Sequence, residues 1–382
     1  MGKSIWCALA IVAVVVAIVG ICGSGASEDD DCLYVTLISP AEFGSVELDL
    51  TQEDLRGIGC EFGDRVLIEI NGKKIDAIFV TGYSGVGILD AYVSTQTVPT
   101  EETLTFGMFN ADVWGITGCK AGDVVKIVKN GTDPNISKLR KYLAGTIEDM
   151  TGIPEEQFAN FRAVESPNMR DDLLYRSVSP FREGTLRSEV VVQLYEANGI
   201  EYVLSIGDEP DRVEACRQMY GDSYYLVQLY DSGNVFIESI NPSLNIHPDD
   251  LRRIMMTIAE SDGRIVINCQ LGKDRTGMVI AMLQALTGST YDQIKAEYLQ
   301  SFVNLYGIDV GSEEYETLGR MMFDRLFYVF AHPELSDMAG SVDWSVLDGY
   351  RFDMEQITLN FLKNYANMTD VEIDRLIDRL SQ

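Results

Sequence analysis

Histidine is scarce in this sequence, and several widespread catalytic motifs are absent from it. Only two histidines occur among the 382 residues, His247 and His332. So few histidines argue against the His-rich sites of zinc hydrolases, and they make a Ser-His-Asp triad difficult to assemble. The sequence also lacks a G-x-S-x-G elbow, a Walker A loop and a G-x-G-x-x-G turn, so the corresponding hydrolase and nucleotide-binding patterns are not supported.

Positive charge is also in short supply. Lys and Arg number 30 against 59 Asp and Glu, so the formal net charge is −29. A surface this acidic repels nucleic-acid phosphates and anionic lipid headgroups, so we expect no nucleic-acid partner and no polybasic membrane docking. An anionic substrate therefore requires a local cationic pocket. Hydrophobic residues make up 46% of the chain, which is enough for a folded core, and the length favours two or three domains.

The first residues have the pattern of a targeting segment. Lys3 precedes an uninterrupted apolar run from Ile5 to Cys22, and a stretch of small residues and then acidic residues follows. This pattern predicts either a signal peptide, with cleavage favoured near Ala26, or a retained N-terminal membrane anchor over residues 1–27. In both cases we expect a secreted or extracytoplasmic protein whose only membrane contact is this segment.

Residues 32–130 have the pattern of a small all-β domain, either a barrel or a sandwich. Turn signals separate short apolar or alternating runs. These runs are Leu33–Leu37, Val66–Ile70, Ala77–Val80 and Val124–Val128. The segments Gly59–Val66 and Gly118–Val125 repeat one another as glycine-rich turns that lead into strands. Cys60 and Cys119 occupy equivalent places in this repeat, and their spacing leaves open whether they form a disulfide.

A linker with a helical lead-in is predicted over residues 131–168, and an α/β domain over residues 169–382. In this second part helical periodicity alternates with short β-branched runs, which is typical of a mainly parallel sheet flanked by helices. The predicted strands are Tyr202–Ile206, Tyr224–Tyr230 and Arg264–Ile267. The predicted helices are Arg187–Asn198, Pro248–Ser261 and, in a helical C-terminal part that starts at Tyr291, Asp370–Leu380.

The loop between the last predicted strand and a predicted helix over Thr276–Leu286 carries the most chemical information. Cys269 begins this loop and Arg275 ends it. Backbone N–H groups that converge at a helix N-terminus bind an anion, and the same field favours a thiolate at the cysteine. Cys269 is therefore predicted to attack phosphorus, while the planar guanidinium of Arg275 binds two phosphate oxygens.

The other loop residues have supporting roles in this hypothesis. Gly272 allows a close approach of the backbone, and the Thr276 hydroxyl is expected to hydrogen-bond the sulfur. The predicted substrate-binding residues are Gln270, Leu271, Gly272, Lys273 and Thr276. A buried core cysteine is the commonest alternative for Cys269, but a core thiol does not need a polar loop after it.

The sequence Cys-x-x-Gly-Lys-Asp-Arg-Thr-Gly at residues 269–277 resembles the phosphate-binding loop of the protein-tyrosine-phosphatase superfamily, in particular its bacterial atypical, dual-specificity and lipid-phosphatase-like branch. The segments Leu174–Pro180, Gly199–Leu204 and Tyr291–Gly307 also resemble that branch. The resemblance implies a cysteine-phosphatase fold that hydrolyses phosphotyrosine or related phosphoesters through a phosphocysteine intermediate, without a metal or other cofactor. The implied partner is a phosphorylated protein or a small phosphoester.

The resemblance also directs attention to the residues beside the nucleophile. Family members usually carry histidine before the cysteine, whereas this chain has Asn268, so we expect altered reactivity. The leaving oxygen needs a proton donor; Asp274 inside the loop is the first candidate, Asp231 after a predicted strand is the second, and Asp208 is a third. Lys273 is expected to place positive charge at the mouth of the pocket, as the resemblance to lipid phosphatases implies.

Two alternative functions stay open from the sequence. One is a pseudo-phosphatase that binds phosphorylated ligands without turnover, because Asn268 replaces the usual histidine. The other is a phosphatase for inositol phosphates or phosphoinositides, because the sequence does not determine the depth of the pocket. A thiol–disulfide exchange function is disfavoured, since no Cys-x-x-Cys motif is present.

Overall fold

The computed structural model of the chain describes residues 32–41, 44–95, 103–182, 184–240, 244 and 246–381. The predicted targeting segment, residues 1–27, lies outside the described residues. Twelve strands run through the described part, β1 Cys32–Pro40, β2 Val46–Leu48, β3 Asp64–Ile70, β4 Lys73–Val80, β5 Ala91–Ser94, β6 Leu104–Met108, β7 Val124–Thr132, β8 Arg162–Ala163, β9 Leu174–Val178, β10 Tyr202–Ser205, β11 Val235–Ile237 and β12 Ile265–Cys269.

The α-helices of the described part are short in the first half of the chain and longer in the second. They are α1 Gln52–Gly57, α2 Val113–Thr117, α3 Arg140–Leu143, α4 Glu155–Phe158, α5 Leu186–Ala197, α6 Arg212–Tyr220, α7 Tyr225–Asp231, α8 Pro248–Glu260, α9 Asp274–Leu286, α10 Tyr291–Tyr306, α11 Glu313–Leu318, α12 Arg325–Ala331, α13 Met354–Asn364 and α14 Asp370–Ser381. Within the described ranges, no helix has both the length and the apolar character that crossing a bilayer requires.

The first seven strands form a closed barrel in the order β1-β2-β6-β5-β4-β3-β7, so the barrel option for residues 32–130 describes this part and the sandwich option does not. Burial alternates strictly along β3, with Val66 and Ile68 fully buried. This period of two places one face of the strand in the barrel interior and the other towards solvent. The last strand continues to Thr132, slightly beyond the predicted boundary.

The repeated segments of the sequence form two similar turns in the barrel. The Asp64 carboxylate accepts the Glu61 N–H at 3.0 Å, and the Asp123 carboxylate accepts the Lys120 N–H at 2.9 Å. Each turn leads into one of the paired strands β3 and β7. Cys60, at the equivalent place in the first turn, is a buried free thiol, as is its counterpart in the second, so the disulfide option is not realised. Burial raises the pKa of both thiols.

The remaining strands form a five-stranded sheet in the order β11-β10-β12-β9-β8. β11, β10, β12 and β9 run parallel to one another, and the edge strand β8 is antiparallel. The prediction of a strand over Tyr224–Tyr230 is wrong, because this segment forms helix α7 and the edge strand follows it. A short apolar run fits a buried helix face as well as a strand, so periodicity could not separate the two.

The predicted linker, residues 131–168, contributes to this sheet and is more than a connection. Its strand β8 pairs with β9. Contacts between the barrel and the second half of the chain are direct, since Arg325 forms an ion pair with Asp90 at 2.7 Å and the Gly340 N–H donates to the Leu89 carbonyl at 2.8 Å. One continuous hydrophobic core includes residues of both halves. The barrel therefore packs against the α/β part rather than being tethered to it.

Candidate active site

The candidate site lies at the carboxyl edge of the parallel strands. Cys269 is the last residue of β12, the central strand, and helix α9 begins five residues later at Asp274. In open parallel sheets this edge is where functional side chains and ligands meet. The neighbouring strand β10 ends at Ser205, and the residues after it, Ile206 and Gly207, lie beside the loop.

Gly207 marks the place where Cys269 and Arg275 approach each other. A Cβ atom on Gly207 would lie 3.0 Å from Cβ of Cys269 and 3.1 Å from Cζ of Arg275. The nucleophile and the guanidinium predicted from the sequence are therefore within reach of one phosphoryl group. Cys269 is 3% exposed, so this residue is almost completely enclosed in the fold.

Arg275 is held in position by two backbone carbonyls. Its Nη1 donates to the Ile240 carbonyl at 3.0 Å and, more weakly, to the Ile206 carbonyl at 3.5 Å. These carbonyls belong to the segments that follow strands β11 and β10. Three neighbouring strand ends thus determine where the guanidinium points.

Four successive carbonyl groups of the loop are bound from outside. The Gln270 carbonyl accepts the Ser179 N–H at 3.2 Å. Asn160 donates its side-chain amide to the carbonyls of Leu271 at 3.1 Å and Gly272 at 3.2 Å. The carbonyl of Gly272 also accepts a short hydrogen bond from Arg176, as does the next carbonyl at 3.4 Å.

The outward carbonyls determine where the loop amides point. In a planar trans peptide the N–H group points opposite to the C=O group. The N–H groups of Leu271, Lys273 and Asp274 therefore point into the loop, while the Gly272 N–H closes the turn on the Cys269 carbonyl at 3.2 Å. Amides that converge at the start of a helix form a cradle for a phosphate.

A buried ionic network supports these contacts. Glu297 of α10 accepts hydrogen bonds from Arg176 at 2.6 Å and from Arg162 at 2.9 Å. Burial opposes the charge of Glu297, but the two guanidiniums hold its pKa below the usual range. Burial lowers the pKa of Arg162 to about 10, although Glu297 opposes this. Glu297 and Arg162 therefore carry opposite charges near neutral pH, and Arg176 links this network to the loop through its hydrogen bonds to the loop carbonyls.

Gly272 is required by the geometry of the loop. Its φ is +61°, and a Cβ atom would lie 1.9 Å from the carbonyl oxygen of Ser177 at the end of β9. A side chain of any size would therefore displace the loop from the strand. The close backbone approach expected from the sequence is present here.

Lys273 does not lie at the mouth of the pocket, which corrects the expectation for this residue. Its side chain is 4% exposed, and its ammonium contacts the Asp274 carboxylate at 2.7 Å. It also lies over the rings of Phe302 at 4.6 Å and Tyr142 at 5.5 Å. The apolar stem of the lysine packs inside the fold and its ammonium lies on the aromatic faces, so its charge acts within the loop and is not exposed to solvent.

The remaining predicted loop residues differ in exposure. Gln270 is exposed and Leu271 is half-buried. The Thr276 hydroxyl is fully buried and has no hydrogen-bond partner among the described residues, so the expected bond to sulfur is not formed in this structure. Asn268 is fully buried, and its side chain lies beside the Tyr195 hydroxyl.

The two other candidate acids lie on opposite edges of the sheet. Asp231 ends helix α7, just before β11 begins, so it lies at the amino edge, away from Cys269. It forms a bidentate ion pair with Arg217 at 2.6 and 3.1 Å, which lowers its pKa. The structure therefore does not bring Asp231 to the loop. Asp208 follows β10 at the carboxyl edge and accepts the Ser205 hydroxyl at 2.6 Å.

The sequence interpretation missed the residues that hold the loop from outside. Asn160 lies in the predicted linker. Arg176 and Glu297 lie in segments that resemble the family, but their ion pair and the bonds of Arg176 to the loop carbonyls were not predicted. The one feature of the sequence that could have indicated where Cys269 and Arg275 meet is Gly207, which follows a correctly predicted strand. Among the described residues, no cluster of His, Cys, Asp or Glu is arranged to hold a metal ion.

Comparisons with known proteins locate the family of the second half of the chain. The model of the tyrosine phosphatase family matches residues 156–382. A solved structure of an uncharacterized conserved protein from Thermotoga maritima aligns at 16% identity and a TM-score of 0.24 over 25% of this chain, which spans 36% of that chain's length. The core catalytic domain of the PP-IP phosphatase SIW14 from S. cerevisiae, in complex with citrate, aligns at 18% identity and a TM-score of 0.26, covering 46% of this chain and 97% of that one. No curated protein matches the sequence.

Proposed function

The chain belongs to the tyrosine phosphatase family, and from this premise we propose that it hydrolyses phosphomonoesters with Cys269 as the nucleophile. The observation that carries the proposal is the meeting of Cys269 and Arg275 at Gly207, on the carboxyl edge of the sheet. The family match begins at residue 156, so it includes strand β8 and the loop-binding residue Asn160. The barrel lies before the match.

The proposed reaction has two steps. In the first, the Cys269 thiolate attacks phosphorus, the S–P bond forms and the bond to the leaving oxygen breaks, while Asp274 gives that oxygen a proton. In the second, water attacks the phosphocysteine, the S–P bond breaks, and the water proton returns to Asp274. Inorganic phosphate and the free thiolate are the products. The inward amides and Arg275 stabilise the charge on the phosphoryl oxygens in both steps.

Asp274 is the proton donor in this proposal because of its place in the loop. It is the first residue of α9, next to Arg275, and its side chain is 36% exposed, so it reaches the entrance. Asp208 is the second candidate because it also follows a strand at the carboxyl edge. The single variants Asp274→Asn and Asp208→Asn distinguish the two candidates. Loss of the true donor slows hydrolysis of phenyl phosphate far more than hydrolysis of 4-nitrophenyl phosphate, because the nitrophenolate leaving group needs little protonation.

The charges around the loop support a substrate with a single phosphate, such as phosphotyrosine. Lys273 is buried and paired, so it offers no free positive charge at the entrance. Asp208, Glu209 and Asp211 follow β10 directly, and the whole chain has a net charge of −29. A polyanionic inositol phosphate is repelled by this field more strongly than a phosphotyrosine side chain. A panel of a phosphotyrosine peptide, a phosphoinositide and an inositol polyphosphate should favour the peptide, and preference for the polyphosphate would contradict this assignment.

The place of action is proposed to be outside the cytoplasm. The support is the apolar run from Ile5 to Cys22 after Lys3, which has the pattern of a signal peptide or anchor. Fractionation of cells that express the full chain, with mass determination of its N-terminus, distinguishes cleavage near Ala26 from a retained anchor. Recovery of the uncleaved chain in the cytoplasm would contradict the proposal.

The activity itself is tested on the purified protein with 4-nitrophenyl phosphate. We expect turnover that Cys269→Ser abolishes and that Cys216→Ser, which changes a buried thiol in helix α6, leaves intact. In rapid mixing, a burst of nitrophenol equal to the enzyme concentration is the expected sign of a phosphocysteine that forms faster than it is hydrolysed. Phosphate binding without turnover in the wild type would instead support the pseudo-phosphatase suggested by Asn268.

A further inference from the structure

Tyr142 contacts the catalytic loop from outside the family match. It belongs to the short helix α3, between the barrel and residue 156, where the match begins. Its side chain is 5% exposed, and its hydroxyl lies 3.5 Å from the Lys273 ammonium. Its ring forms one wall of the site that encloses this lysine, and Phe302 of α10 forms another.

The enclosed lysine is poised to assist Asp274. A buried ammonium is unfavourable unless it is paired. Burial opposes the charge of Lys273, yet Asp274 and the neighbouring tyrosines hold its pKa well above the usual range. The ammonium donates to Oδ1 of Asp274 at 2.7 Å. This contact fixes the carboxyl group, leaves Oδ2 to carry the proton, and stabilises the negative charge that Asp274 gains as it releases that proton.

The position of Tyr142 is itself determined by groups on both sides. Its backbone N–H donates to the Glu314 carboxylate at 2.9 Å, which ties helix α3 to the α/β part. From the barrel, the β4–β5 connection packs closely against helix α3, since a Cβ atom on Gly85 would lie 3.2 Å from Cδ2 of Leu143, the residue after Tyr142. The Tyr142 ring also packs edge-on against Tyr306 with 4.8 Å between the ring centroids. The barrel and α10 thus fix the helix and the aromatic side chain that it carries.

We propose that Tyr142 is a positioning residue that holds Lys273 against Asp274, so that the barrel and its exit segment support proton transfer in the catalytic loop. The inference rests on the proposed function and extends it to residues outside the family match. It assigns the barrel a role in the reaction through helix α3, Tyr142 and Lys273. Tyr142 itself touches neither the substrate nor the reacting atoms.

The test compares two substrates that differ in their need for a proton. Phenyl phosphate has a poor leaving group, whereas 4-nitrophenyl phosphate has a good one. In Tyr142→Leu we expect kcat for phenyl phosphate to fall about tenfold or more and kcat for 4-nitrophenyl phosphate to fall less than about threefold, since general acid catalysis matters only for the first. Tyr142→Phe keeps the aromatic wall and should restore the wild-type ratio of the two rates.

A matched control is Tyr225→Leu. Tyr225 is a half-buried tyrosine whose hydroxyl donates to the Ile200 carbonyl at 2.8 Å, at the amino edge of the sheet. This variant should keep the wild-type ratio. If Tyr142→Leu does not fold, Lys273→Met tests the same proton transfer, because it removes the ammonium but leaves an apolar side chain in the buried site. We expect the same selective loss of kcat for phenyl phosphate.

The outcomes separate this inference from the proposed function. If the wild type is inactive, or if Cys269→Ser is as active as the wild type, the proposed function fails and this inference with it. If the wild type turns over through Cys269 but Tyr142→Leu or Lys273→Met keeps the wild-type ratio, only the inference fails. An equal loss with both substrates also overturns it, because that result indicates general damage to the loop.

Discussion

Replacing Gly272 by alanine is the sharpest test of the loop geometry. The added Cβ atom would lie 1.9 Å from the Ser177 carbonyl oxygen and 2.4 Å from its carbon. Both are backbone atoms of strand β9, which is hydrogen-bonded to β12 and cannot rotate away. The loop itself must therefore move, by about 1.5 Å if ordinary contact distance is to be restored.

The substitution has two separable effects. A displacement of about 1 Å in catalytic geometry lowers rates about 100-fold, which corresponds to about 2.7 kcal/mol of transition-state stabilisation. In addition, an alanine at a φ of +61° lowers the free energy of unfolding by about 1–2 kcal/mol. We therefore expect Gly272→Ala to lose activity on 4-nitrophenyl phosphate out of proportion to its loss of stability.

Gly118→Ala is the matched control for this prediction. Gly118 has a φ of +64° and no atom within 4 Å of a built Cβ, so the substitution brings the same backbone strain without the clash. It should lose a similar amount of stability in urea unfolding and keep its full kcat. If Gly272→Ala retains kcat within about threefold of Gly118→Ala, the loop does not depend on the close approach to β9, and the reasoning is refuted.

Three further predictions concern stability. Arg176→Met leaves Glu297 partly unpaired and should lower the free energy of unfolding by about 3–5 kcal/mol, measured in urea; an unchanged midpoint would show that the buried network is dispensable. Hydrogen bonds from the Thr369 backbone and Arg252 lower the pKa of Glu372 to about 2. The stability that ionised Glu372 contributes is therefore complete above its ordinary pKa near 4.5 and is lost as the pH falls towards 2. Glu372→Gln should remove this part of the acid dependence of the melting temperature, and an identical pH profile would contradict the prediction. The free thiols Cys60 and Cys119 predict that dithiothreitol leaves the urea midpoint unchanged, whereas a large downward shift would indicate a disulfide.

The elements that were predicted correctly are those with an unambiguous local pattern. Helix α5 ends at Ala197 and α8 begins at Pro248, close to the predicted bounds, because Gly199 stops one helix and proline suits the first turn of the other. Helix α7 was missed because its buried residues, Leu226, Val227 and Leu229, satisfy a strand pattern equally well. In the fold, β11 takes the position beside β10, and the segment Tyr225–Asp231 is the helix that leads into it.

Asp231 and Lys273 show the same difference between what the sequence predicts and what the fold decides. Asp231 was predicted to follow a strand, but helix α7 puts it at the amino edge of the sheet, in an ion pair with Arg217. Lys273 was expected to place positive charge at the mouth of the pocket, but Tyr142 and Phe302 enclose it. In both cases the residue type suits phosphate chemistry, but the path of the chain places the side chain away from the entrance of the loop.

The candidate nucleophile, its guanidinium partner and the glycine between them were predicted from the sequence alone, because a loop between a strand and a helix carries its own geometry within a few contiguous residues. What holds that loop was decided only by tertiary structure. Asn160, Arg176 and Glu297 come from three separate elements and meet beneath it. Hydrogen bonds between residues 96 to 121 positions apart leave no periodic signal in a chain, because their partners become neighbours only when the sheet and α10 have packed.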